Sequence, residues 1–91
     1  MKEENDVRGN ELLKEYKKTN KILEESVQTV SKVKFMLLKN KHEGWEESKS
    51  QAWDYHFETL LQNEDSDFTL YYKTSPTTGG WLNSEYFVIY K

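Results

Sequence analysis

There is no cysteine in this chain. That excludes disulfides, thiolate metal sites and a cysteine nucleophile. Small secreted domains usually rely on disulfide staples, so the expected compartment is the cytoplasm. Long apolar runs are missing too. No stretch approaches the roughly 20 apolar residues of a membrane span. The opening residues, MKEENDVRGNELLKEYKK, hold no run of signal-peptide length. Alanine occurs once, at Ala52, so intrinsic helix propensity carries little of the fold. Proline also occurs once, at Pro76.

What is present is charge and aromatic carbon. Of 91 residues, 32% are charged, 35% hydrophobic and 14% aromatic. The core is expected to be thin, with aromatics supplying much of its area. The length suits one domain with little stability to spare. The net charge of −3 is unevenly placed. Residues 1–44 carry 10 basic and 8 acidic groups, and residues 45–91 carry 3 and 8. Eleven of the 13 aromatics lie in that acidic second half. Plentiful Lys, Asn, Glu and Tyr, with scarce Ala and Arg, match the bias of an AT-rich genome, and the expected source is a bacterium or phage.

Residues 1–9 are polar and expected to be disordered, leaving a single domain over residues 10–91. Asn10 is a candidate helix cap, with Glu11 favourable in the first turn. Apolar or neutral positions then recur at Leu12, Tyr16, Thr19, Leu23, Val27, Val30, Val33 and Leu37, in steps of three and four. This spacing predicts one long or bent helix running toward Gly44, about 27–32 residues or roughly 40–48 Å. The rival is a helix to about Ser31 followed by a strand, since Val33, Phe35 and Leu37 also alternate. Ser48 and Gln51 form a capping-box pattern, and Trp53, Phe57, Leu60 and Leu61 then keep helical spacing to about Gln62. The segment WDYHFET fits a strand almost as well. NEDSD reads as a turn. Phe68–Lys73 and Glu85–Lys91 read as two strands of an antiparallel hairpin, joined by a long loop from Thr74 to Ser84 that contains Pro76, Gly79 and Gly80. The fold expected is α+β: a long N-terminal helix, a shorter second helix and a C-terminal hairpin. The alternative is one helix on a four-stranded antiparallel meander.

Candidate chemistry is sparse. His42 stands at the expected helix end, where free carbonyls would meet it, and His56 lies between Asp54 and Glu58. Two distant histidines do not make a set of three or four converging metal ligands. No serine lies in a nucleophile elbow, and SPTTGG lacks the G-K-[ST] ending of a phosphate loop. The adjacent acids Glu46/Glu47 and Glu64/Asp65/Asp67 read as solvated. No enzyme, cofactor or metal is therefore expected. Nucleic-acid binding would use the tyrosines as stacking surfaces and the cluster Lys32, Lys34, Lys39 and Lys41 as a phosphate patch. It ranks low, because the aromatic half has only three cations.

Trp81 directly follows Gly79 and Gly80 in a loop, where side chains are usually small and polar. It either folds back as a lid over the core or projects as a probe for a partner. Trp and Tyr are enriched at binding hot spots. The leading expectation is a non-enzymatic protein-binding module, an inhibitor or regulator, with Trp81, Leu82, Tyr71 and Tyr86 at the partner surface. A phage factor acting on a host defence or replication protein is its sharp form. The second expectation is a structural homo-oligomer, a homodimer, joined along the helical stripe at Leu12, Tyr16, Leu23, Val27 and Val30. No membrane partner is expected.

Overall fold

A computed structural model describes residues 11–53 and 55–91. Residues 1–9, read above as disordered, and the proposed cap Asn10 lie outside them. The chain forms α1 (Glu11–Asn20), a short 3-10 turn (Glu24–Ser26), β1 (Val27–Val30), α2 (Lys32–Lys39), β2 (Glu46–Trp53), β3 (His56–Gln62), β4 (Phe68–Pro76) and β5 (Leu82–Tyr90). Among the described residues the fold is α+β, with two helices and five antiparallel strands in the order β1-β5-β4-β3-β2. Strands β2 to β5 are a meander, and β1 adds to its far side against β5.

The single long helix does not form, and neither does its rival of a helix to Ser31 and a strand beyond. The helix stops at Asn20 because Lys21 takes a left-handed conformation, φ 53°. The Ile22 N–H then donates to Lys17 O across 3.1 Å, closing a Schellman stop without the usual glycine. The β-branched run VQTV becomes β1 instead. Ser31, extended at ψ 161°, starts α2 by accepting the Lys34 N–H at 3.1 Å on its side chain. At the other end of α2 the Trp45 Nε1–H donates to Lys39 O (2.8 Å) and His42 O (3.1 Å). The indole therefore meets the carbonyls expected for the His42 ring, which packs edge-on against Trp45 and Phe68.

The helix expected behind Ser48 is also absent. Residues 46–62 make the β2–β3 hairpin, with Glu46 opposite Gln62 and Ser50 opposite Glu58. The four-stranded alternative is one strand short and lacks a helix. The C-terminal hairpin forms with longer strands and a shorter connection than expected, since Pro76 pairs with Leu82.

Strand alternation sends consecutive residues to opposite faces, and both faces are covered. On one side Leu60, Tyr71 and Ile89 pack with Leu13 and Tyr16 of α1. On the other Leu61, Phe68, Leu70 and Val88 pack with Phe35 and Leu38 of α2. Burying one such side chain contributes about 1.5–3 kcal/mol. Phe35 also lies edge-on to Tyr72 at 5.7 Å and tilted on Tyr86 at 5.0 Å. The aromatics thus do the filling that few aliphatics could.

Candidate functional site

The strand register brings two turns to one end of the sheet. Phe57 lies opposite Thr74, and Thr74 opposite Ser84, so the β2–β3 turn and the β4–β5 tip are neighbours there. Among the described residues four exposed large apolar side chains lie at this end: Tyr55, Phe57, Trp81 and Leu82.

The tip is held in one shape. Thr77 N–H donates to Trp81 O (2.7 Å), Gly80 N–H donates to Thr77 O (3.1 Å), and Trp81 N–H reaches the Thr77 hydroxyl (3.3 Å). Three residues, 78–80, thus bridge the pair Thr77 and Trp81, and Gly80 supplies the left-handed residue such a loop needs at φ 84°. Gly79 is in close contact for a different reason. A Cβ there would come within 3.1 Å of the Trp81 indole, which lies against its bare side. Trp81 remains 75% exposed and Leu82 59% exposed. The indole does not cover the core, so the lid arrangement is not adopted. Leu82 is the first residue of β5 and shares its face with Ser84 and Tyr86, whereas Trp81 sits on the loop beyond.

The other expected partner-binding residues are placed differently. Tyr71 is fully buried at the centre of the α1 face, tilted against Phe87, and presents nothing to a partner. Tyr86 is half-buried beneath Phe35. Tyr72 is half-buried too, while Tyr55 and Tyr90 are exposed. The expected oligomer stripe is dispersed. Leu12 and Tyr16 pack onto the α1 face, Val27 and Val30 belong to β1, and Leu23 alone is mostly exposed. Sequence reading missed the apolar outer side of α2, where Val33, Met36 and Leu37 are exposed at helical spacing. Its signal was the same periodicity, misassigned to a longer helix.

Sequence reading also passed over Glu58, which is 2% exposed in the middle of β3. Its Oε1 accepts the Leu12 N–H (2.8 Å), the Leu13 N–H (3.3 Å) and the Tyr71 hydroxyl (3.2 Å). The first two are amides of the first turn of α1, which have no acceptor within the helix. A carboxylate from a distant strand thus caps the helix and faces its positive end. Burial first, and then the Glu58 charge, push the Tyr71 phenol far above its ordinary pKa. This is the chemistry of a structural anchor.

The opposite end of the sheet is polar. Asn63 shapes the β3–β4 turn by accepting the Asp65 N–H (2.9 Å) and donating to Glu43 O (2.7 Å). Lys91 Nζ donates to Ser66 O (2.6 Å) in the same turn. A hollow of about 620 Å³ opens beside it, lined by Tyr16, Asn20, Glu43, Glu46, Glu64 and Asp65 among others. Among the described residues no three His, Cys, Asp or Glu side chains are grouped to hold a metal ion, and no helix is long and apolar enough to cross a membrane. No protein-family model, curated protein or solved structure matches the chain.

Proposed function

We propose that this chain is a non-enzymatic protein-binding module that inhibits or regulates a partner protein through the aromatic end of its sheet. Trp81 carries the reading: a large indole, 75% exposed, on a tip fixed by backbone hydrogen bonds. A rigid anchor loses little freedom on binding, which is what makes exposed aromatics effective contacts. Leu82, Phe57 and Tyr55 supply apolar area around it. The AT-rich compositional bias supports a bacterial or phage source, and a phage factor directed at a host defence or replication protein is the sharp form of the proposal.

The test is capture from a lysate of the source organism, followed by titration of the captured protein. Wild type should retain a partner that Trp81→Ala binds about 30-fold more weakly, equivalent to about 2 kcal/mol. Melting temperatures of the two proteins should agree. Equal binding by Trp81→Ala would move the contact surface away from the tip.

A further inference from the structure

We propose that two copies of this chain join edge to edge through β2, their five-stranded sheets continuing into one sheet of ten strands about a two-fold axis at Ser48. Among the described residues, strand β2 ends the sheet and pairs only with β3. Its eight residues, Glu46–Trp53, are twice the length of β1 at the other edge. An edge of this length presents a row of backbone donors and acceptors ready to pair with another strand. Natural edges are blunted by short length, proline, bulges or charged side chains, lysine above all. Here there is no proline, and the bulge falls between Gln51 and Trp53, leaving Glu46–Ser50 in regular register.

The charges on this edge are self-complementary. Glu47 and Lys49 stand on one face, two residues apart, with their side chains 3.1 Å from each other. In an antiparallel pairing centred on Ser48, each Glu47 lies opposite Lys49 of the second copy. The four charges then form an alternating square, each flanked by two of opposite sign. Directly opposed charges of unlike sign favour strand pairing, and like charges oppose it. An axis at Glu47 or at Lys49 would instead set like charges face to face. Charge thus selects the Ser48 register. A two-fold axis perpendicular to the sheet keeps both α1 helices on one face and both α2 helices on the other. None of these residues belongs to the aromatic end, so the dimer and the partner-binding reading stand or fall separately.

Sedimentation across the micromolar range tests the proposal. Wild type should dimerise, Lys49→Glu should weaken the dimer by roughly tenfold or more, and the exchange Glu47→Lys with Lys49→Glu should restore it. Circular dichroism checks that each variant is folded. The missing cysteines permit a second measurement. Residues facing each other across antiparallel strands lie about 4.5–5.5 Å apart at Cα, within disulfide reach. Ser48→Cys should therefore cross-link to a dimer under mild oxidation, whereas Ser50→Cys, which faces Glu46 of the second copy, should remain largely uncross-linked. A wild type that stays monomeric at high micromolar concentration overturns the proposal. So does a dimer indifferent to Lys49→Glu, a charge exchange that leaves folded monomer, or cross-linking as fast at Ser50→Cys as at Ser48→Cys.

Discussion

Glu58 is a charge taken out of water, and such a group is tolerated only when its lone pairs are used. Two helix amides and a phenol use those of Oε1 here. Removing the side chain strands those donors, at about 1–3 kcal/mol for each one left buried and unpaired, so Glu58→Ala should destabilise the fold. Glu58→Gln keeps an acceptor and loses the charge facing the helix end, and should cost about 1–2 kcal/mol. Urea unfolding of the three proteins measures both. Equal stability of Glu58→Ala and wild type would remove the capping role. Tyr71 adds a dependence on pH, because its folded-state pKa is raised. Below about pH 10 the phenol is neutral in folded and unfolded chains alike, so Tyr71 introduces no pH dependence there. Above it, the unfolded chain gives up the proton while the folded one keeps it, and stability falls by up to about 1.4 kcal/mol per pH unit. Tyr71→Phe should lose about 1–2 kcal/mol at neutral pH with the Glu58 hydrogen bond, but show a smaller alkaline loss. Unfolding curves at about pH 8 and about pH 11 decide it, and parallel losses in both proteins would reject it.

At the scale of elements, legibility followed how local the signal was. The β4–β5 hairpin could be read, because two β-type runs flank a Gly-Gly turn. The first third could not. Its three-and-four spacing is satisfied by residues of α1, β1 and α2 in succession, so one continuous stripe stood for three elements. The stop lies at Lys21, a residue type that gives no hint of φ 53°. The β2–β3 hairpin was half legible: WDYHFET fits a strand almost as well as a helix, but β2 is an edge strand with few apolar residues to alternate. Its Ser48 and Gln51 imitated a helix cap. For the site, the glycines before Trp81 marked a turn, but nothing in the local pattern told whether the indole covers the core or stays exposed. The burial of Tyr71 follows from its register opposite Leu60 and Phe87, a long-range fact absent from any local pattern. Two substitutions test the boundaries. Lys21→Gly relieves the left-handed lysine and should stabilise the protein by about 1 kcal/mol, read as an upward shift of the thermal midpoint. Ser31→Ala removes the cap of α2 and should destabilise it by about 1 kcal/mol. A Lys21→Gly variant less stable than wild type would contradict the Schellman stop.

At the scale of the molecule, the sheet is a shared wall between two apolar layers that do not touch each other. Leu60 and Leu61 are consecutive, yet one packs under α1 and the other under α2. Whether the layers melt together depends on the wall. Neither helix buries enough alone to hold a short isolated helix in water, since helices of α1 and α2 length are marginal by themselves. Each layer therefore exists only while the sheet does, and the sheet keeps its order only while both faces are covered. This predicts a single cooperative transition. Trp45 reports on the α2 layer, where it lies 5.9 Å from Phe68. Leu13→Ala damages the α1 layer alone and should cost about 2–5 kcal/mol. In a background with Trp53→Phe and Trp81→Phe, Trp45 fluorescence should shift its midpoint on Leu13→Ala by as much as far-UV circular dichroism does. Coincident probes are the mark of two-state unfolding. A Trp45 midpoint that stays in place while the dichroism midpoint falls would mean that the α2 layer and its sheet hold without α1. In that case the covering helix on the other face would be an accessory to the fold, and the capping carboxylate of Glu58 would matter to α1 alone.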